Sequence, residues 1–281
     1  MDTETGTLMG ALNLARYCVF LAEHAPGGDF EERDGFVLFA GAHPYPGSHT
    51  NGVMRTSSDL PPEELLAQAD QWFRRKKRGY TVWTRGELDA DLDRMVNARG
   101  LLRRPPENGM AYMLIDRPMP EAEFTVPDGA AVRKVIDEAG GHDYLKVVAE
   151  AFDIAGLPTT TVGQLFFDPL TLLDESCAGY VAYVEGEPVA ACLMWYDVRG
   201  FAGTYAGVSS PSSLRHPVVF REAARGRGLA KICLCRALND GFEMGARFGG
   251  GTATPDGQAA WGAMGFQTTS VFQRYIRRPP F

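Results

Sequence analysis

Several things are scarce in this 281-residue chain, and each scarcity excludes something. Apolar residues make up 45% of it, enough for a substantial core. Yet no apolar run approaches the roughly 18 residues a membrane-spanning helix requires, so no membrane partner is expected. Histidines number only five and are scattered, and the five cysteines form no C-x-x-C pair and show no ligand spacing with histidine. No metal site is therefore expected. Cys18, Cys192, Cys233 and Cys235 lie in apolar runs and read as small buried hydrophobes rather than nucleophiles. The N-terminus carries Asp2 and Glu4 and lacks the basic stretch of a secretory signal, which predicts a cytoplasmic protein. A net charge of −7 argues against a nucleic-acid partner and mildly favours a cationic one. Two nucleotide signatures are also missing. There is no G-x-x-x-x-G-K-[ST], and no G-x-G-x-x-G followed by an acidic residue about 20 positions on.

What is present is Arg225-Gly226-Arg227-Gly228-Leu229-Ala230, at the head of the apolar, helix-spaced run 229–238. Two glycines let the backbone turn tightly and leave its N–H groups uncovered. The first N–H groups of the helix that follows have no partner inside it. Such a terminus suits an anion, and a pyrophosphate in particular. Arg225 and Arg227 add positive charge there. A plain surface turn accounts for the same residues, so the downstream chain has to decide between the readings.

After the predicted helix comes a strand-like segment, 247–254, with Gly249, Gly250 and Gly251 in it. A short helical piece follows over 257–264, then Gly265-Phe266, then a strand-like run over 268–276. This order resembles the second half of the GNAT superfamily of acyl-CoA N-acyltransferases. Arg225, Gly228 and Ala230 match that family's [R/Q]-x-x-G-x-[G/A] motif, and Gly265-Phe266 matches its C-terminal "G-F". Upstream, 131–135 reads as an opening strand and 142–152 and 162–173 as a helix pair. Residues 179–184 and 188–196 read as a hairpin turning at Glu185-Gly186-Glu187. The resemblance spans roughly 123–281. It implies an α/β (α+β) fold whose sheet is mixed, mostly antiparallel, twisted and flanked by helices. It further implies binding of acetyl-CoA or another acyl-CoA, and acyl transfer to a primary amine by direct attack in a ternary complex. A small-molecule amine is the expected acceptor, and the expected assembly is a monomer or homodimer.

Residues 1–118 read as a worn copy of the same unit. A helix is predicted over 61–78, where Leu65, Leu66, Ala69, Trp72 and Phe73 recur at helical spacing, with Ser58 or Asp59 as its cap. A strand over 80–84, a helix over 87–99, Gly100-Leu101 and a strand over 110–115 follow in the order seen in 229–276. The position before the long helix, however, holds Thr56-Ser57-Ser58-Asp59-Leu60-Pro61-Pro62. Two prolines remove N–H donors and Asp59 repels phosphate, so cofactor binding is expected to be lost in this half. The resemblance implies a tandem form: a degenerate domain over 1–118, a linker over 119–123 and a catalytic domain over 124–281. The basic run 74–78 reads as the solvated last turn of a helix, complementing its dipole, with docking of an acidic partner as the alternative.

The chemistry needs a route for the ammonium proton, a hydrogen bond to the carbonyl and a way for the thiolate to leave. Two departures from the family pattern bear on it. First, residues 209–217 intervene between the strand-like 201–208 and the loop. The cofactor-facing stretch is then expected at Val218, Val219 and Phe220. Second, where many relatives have a tyrosine four residues before the glycine of "G-F", this chain has Trp261, whose indole is no proton donor to a thiolate. Trp261 is expected either to pack on the cofactor arm or to sit in the core. Glu222, the carboxylate nearest the loop, and Tyr205 are the expected catalytic groups, with Asp197 as the alternative base and His216 as polar lining. Gly249, Gly250 and Gly251 suggest close approach by a ligand or a neighbouring backbone. Two rival readings keep the fold: a non-catalytic CoA sensor or scaffold, and an aminoacyl- or acyl-carrier-dependent transferase.

Overall fold

The computed structural model describes residues 2–41, 44, 46–47, 49–104, 109–154, 168–197, 200–209 and 227–279. The chain divides into two compact units. Among the described residues, one contains those of 2–114 and 251–279, the other those of 115–154 and 168–250.

The first unit opens with α1 (Thr3–His24), capped by the Asp2 carboxylate, which accepts from the Thr5 N–H at 3.2 Å. Its sheet begins as an antiparallel meander of β1 (Asp29–Arg33), β2 (Phe36–Ala40) and β3 (Asn51–Arg55). Helix α2 (Pro62–Lys76) then crosses over, and β4 (Tyr80–Thr84) pairs in parallel with β3. A 3-10 turn at Gly86–Asp89 leads into α3 (Ala90–Ala98), followed by β5 (Leu102–Arg103) and β6 (Met110–Ile115). Every residue of β2, β3 and β4 is buried, Asn51, Arg55, Thr81 and Thr84 included, so burial does not alternate along these strands. The α2 side chains Leu65, Leu66, Ala69, Trp72 and Phe73 close one core with Phe36, Leu38, Val53, Tyr80 and Val82.

The chain's last elements belong to this unit as well. Helix α6 (Pro255–Ala263) precedes β12 (Gln267–Arg277), which lies antiparallel between β4 and β6 and also carries β5. The elements over 61–115 occur in the predicted order. The cap of α2 differs from expectation: the N-cap is Pro61 and no side chain bonds the first turn. Ser58 and Asp59 are engaged elsewhere, Ser58 with the Leu88 carbonyl and Asp59 with Ser57. The basic run 74–78 divides. Arg74, Arg75 and Lys76 form the last turn of α2, with Lys76 over the Trp72 ring and paired with Asp29. Arg78 instead turns inward to the Gly41 carbonyl and Asn51.

The second unit is a meander of β7 (Ala130–Lys134), β8 (Cys177–Val184), β9 (Glu187–Asp197) and β10 (Phe201–Ser209), each antiparallel to the next. Helix α4 (Glu138–Ile154) lies between β7 and β8 in sequence. Only Pro169–Leu173, a 3-10 helix, represents the predicted second helix of the pair, because 162–167 lie outside the described residues. Helix α5 (Leu229–Glu243) packs on β8, β9 and β10, and β11 (Phe248–Ala253) returns parallel to β10. The segment expected as a linker is anchored here. Met119 is buried, its N–H donates to the Asn239 carboxamide oxygen at 2.8 Å, and its carbonyl accepts from the Asn239 nitrogen at 2.9 Å.

Candidate functional site

The site is built where β10 hands over to α5. Gly228 is the N-cap of α5 and takes the left-handed conformation, φ 72° and ψ 11°, which a side chain with a Cβ rarely adopts. Among the described residues no side chain caps the helix, and a Cβ placed at Gly228 would have nothing of theirs within 4 Å. The Gly228 carbonyl accepts from the Ile232 N–H at 3.0 Å, so the helix proper starts at once. By helix geometry the N–H groups of Leu229, Ala230 and Lys231 have no intrahelical acceptor. Leu229 is buried and anchors the turn, while Gly228 and Ala230 stay half-buried at the surface. Arg227 is half-buried, and its guanidinium donates to the Asp128 carbonyl just before β7. The result is a 15-residue helix whose N-terminus is uncapped among the described residues, with a guanidinium tethered beside it, which fits an anionic group.

Two features of β10 add to this. Its parallel pairing with β11 covers Phe201–Gly203 against Phe248–Gly250 and ends there, and the Thr204 hydroxyl reaches the Gly250 carbonyl at 3.1 Å. Against β9 the register slips between Tyr205 and Val208, so β10 carries a bulge. A bulge breaks the ladder locally and re-aims the backbone. Tyr205 enters this bulge as a buried side chain, 8% exposed. No sequence signal marked the bulge, because the surplus residue shows only when β9 and β10 are aligned.

The other predicted residues fall as follows. Val218, Val219, Phe220, Glu222, Arg225 and Gly226 lie outside the described residues, as does His216. Asp197 ends β9. Trp261 is on α6, half-buried, with its ring 4.8 Å from that of buried Phe266. At Gly249 the close neighbour is a side chain of the protein itself: a Cβ there would lie 2.3 Å from Leu238 Cδ1. The expectation of a ligand or backbone neighbour is corrected at that position, since the glycine lets α5 settle on β11. All five cysteines are free and buried. Burial pushes the Cys177 and Cys233 thiols up to about 12 and Cys235 up to about 11, so none is a thiolate near neutral pH. Among the described residues no group of three or more His, Cys, Asp or Glu side chains is placed to hold a metal.

The corresponding junction of the first unit, β3 to α2, is filled. Arg55 is 1% exposed, and its guanidinium donates to the Ser58 and Leu60 carbonyls and to Asp91 at 2.7 Å. Asp89, fully buried, sits 3.6 Å from Arg55 and accepts from Arg85 at 2.7 and 2.8 Å. The loop thus turns carbonyl oxygens toward a cation of the protein, the reverse of what a phosphate needs. Sequence reasoning missed this network, because Arg55, Arg85, Asp89 and Asp91 meet only after α2 has crossed over.

No family model matches the chain, and no curated protein matches it. Solved structures do. A GCN5-related N-acetyltransferase from Kribbella flavida aligns over 97% of this chain and 96% of its own, with a TM-score of 0.65 and 13% identity. The chain has the GCN5-related N-acetyltransferase fold. A tandem GNAT protein from the clavulanic acid biosynthesis pathway aligns over 100% of this chain and 97% of its own, at TM-score 0.56 and 14% identity. A GCN5-related N-acetyltransferase from Sphaerobacter thermophilus aligns over 88% and 82%, at 0.55 and 16%. The GCN5-related fold accounts for the meander, crossover helix and parallel strand in each unit, and for a sheet that is mixed but mostly antiparallel. Among the described residues no helix is long and apolar enough to cross a membrane.

Proposed function

We propose that the protein is an N-acyltransferase that moves an acetyl group from acetyl-CoA to a primary amine of a small-molecule acceptor. The observation that carries this reading is the open N-terminus of α5 behind a left-handed Gly228. In this reading Gly226, Gly228, Leu229 and Ala230 offer backbone N–H groups to the diphosphate, and Arg225 and Arg227 balance its charge. Val218, Val219 and Phe220 line the cofactor's path, and the β10 bulge supplies an N–H to the thioester carbonyl. Glu222 takes the ammonium proton, directly or through water, and the amine then attacks the carbonyl in a ternary complex. Tyr205 serves the proton traffic at the bulge, and Trp261 packs rather than donating a proton. The thiolate, with a pKa in the ordinary thiol range of about 8.5, leaves with a hydrogen bond alone.

The division of labour is tandem: a degenerate domain over 1–118, a linker over 119–123 and an acyl-CoA-binding domain over 124–281. The protein works in the cytoplasm, as a monomer or homodimer, without nucleic acid. Thiol release from acetyl-CoA across a panel of primary amines tests the reading. Amine-dependent release supports it. CoA binding without turnover on any amine favours the second reading, a non-catalytic CoA sensor, which the tryptophan at the usual tyrosine position supports.

A further inference from the structure

A cavity of about 920 Å³ in the first unit has no part in the transfer proposed above. It opens where β4 ends: Thr84 is the last residue of that strand, and Gly86 and Glu87 belong to the turn that follows. The carboxyl end of a parallel strand is where crossover units leave room for ligands. No residue of the β3–α2 junction lines the cavity, so it is not a remnant of the phosphate seat. Its size is in the range of small-molecule sites.

The wall is held rigidly. The Tyr275 hydroxyl donates to Asp93 Oδ1 at 2.7 Å and accepts from Arg103 at 2.7 Å and Asn97 at 3.0 Å. The Thr84 hydroxyl donates to the same Asp93 oxygen at 3.2 Å. Asp93 and Arg103 both line the cavity, and this network fixes the two side chains. Gly86, at φ +61°, makes the tight corner possible: a Cβ there would lie 2.2 Å from Ser270 Oγ.

Three more charged residues line the cavity: Glu4, Glu87 and Arg94. All three are exposed, and none has a side-chain partner among the described residues. They are of both signs. A purely cationic ligand would leave Arg94 unanswered, and a purely anionic one would leave the two carboxylates unanswered.

We propose that this cavity is a binding site for a small zwitterion of amino-acid type. Its ammonium sits at Glu4 and Glu87, its carboxylate at Arg94, and its polar body against the threonine hydroxyls. The proposal does not depend on the acyltransferase reading.

Calorimetry on the full chain tests it with three probes: L-glutamine, 4-aminobutanamide, which lacks the carboxylate, and 4-carbamoylbutanoate, which lacks the ammonium. Glutamine is expected to bind at least about tenfold tighter than either analogue. Arg94→Gln is expected to weaken glutamine about tenfold and leave 4-aminobutanamide within about twofold. Glu87→Gln is expected to weaken glutamine and spare 4-carbamoylbutanoate. Both positions are exposed, and thermal melts check that the variants fold. Arg94→Lys, which keeps the charge, is expected to restore part of the affinity. The proposal is overturned if the wild type binds none of the probes, if all three bind alike, or if the charge variants bind glutamine as the wild type does. The readout uses no CoA, so Gly228→Glu is expected to leave every one of these affinities unchanged. A failure here therefore leaves the acyltransferase reading standing.

Discussion

The β3–α2 and β10–α5 junctions stand at the same place in two repeats of one order of elements, and they are finished in opposite ways. In the first unit the loop carbonyls of Ser58 and Leu60 point at buried Arg55, the helix starts from Pro61, and Glu63 and Glu64 occupy its first turn. In the second the helix starts from a left-handed glycine, no acidic residue occupies the first turn, and no described residue fills the space beside the cap. One fold therefore serves two electrostatic purposes. Where the protein's own guanidinium is enclosed, the junction is a piece of core. Where the helix N-terminus keeps its amides without an intrahelical acceptor, it is the seat we propose for an outside anion.

The largest expected effect tests the filled junction. Asp89→Ala removes the carboxylate that lies between Arg55 and Arg85, leaving two guanidinium groups, each 1% exposed, without their shared partner. Breaking a buried ion pair from one side costs about 3–5 kcal/mol. Urea denaturation is expected to show a loss of that order. A loss under about 1 kcal/mol would mean the network contributes little.

Next comes the open junction. Gly228→Glu puts a carboxylate where the diphosphate is proposed to sit and is expected to weaken CoA binding at least about a hundredfold, or roughly 2.8 kcal/mol. The fold is expected to survive, because no atom of the described residues lies in the path of the new side chain and the left-handed backbone costs only about 1–2 kcal/mol. Unchanged CoA affinity by calorimetry would move the cofactor away from α5.

A third effect belongs to the first unit. His49 is half-buried beside the rings of Tyr17 and Trp83, with its Nε2 shielded from solvent. Burial first, then the charges of Arg274 and Arg104, lower its pKa from 6.5 to about 3. The folded value is depressed, so the stability held by neutral His49 is fully present above pH 6.5. It is lost as the pH falls from there toward 3, at about 1.4 kcal/mol per pH unit. Denaturation between pH 7 and 4 is expected to show that slope, and His49→Gln to flatten it.

The smallest effect concerns Trp261. Its indole packs on Phe266, so Trp261→Tyr is expected to leave acetyl transfer intact or to raise it. A large loss of kcat would show that the indole itself is needed.

Much of the repeat is legible in the sequence because its signals are local. Leu65, Leu66, Ala69, Trp72 and Phe73 recur at the period of one helix face, and all are buried on α2. The alternation over 179–184, the Glu185-Gly186-Glu187 turn and the apolar return over 188–196 mark a hairpin that pairs β8 with β9. The glycine at 228 carries its own argument, since few other residues tolerate its conformation. α1 and the β1–β2–β3 meander carried no signal that was read. β2 is apolar throughout, β1 is charged at four of its five residues and β3 carries Asn51 and Arg55, so no single period of a helix face or a strand face runs through the meander.

By itself, then, the chain determined the order of elements over 61–115 and 229–276, the left-handed glycine at 228 and the prolines that stand at the matching place in the first half. These depend on residues within one or two turns of each other. Only the tertiary structure decided what fills the junctions: Arg55 meeting Asp89 and Asp91, Leu238 claiming the space over Gly249, and the bulge that parts β10 from the register of β9. Each joins residues far apart in sequence. Charge pairing, close packing and strand register are properties of the groups that meet, and no local stretch of sequence specifies its own neighbours.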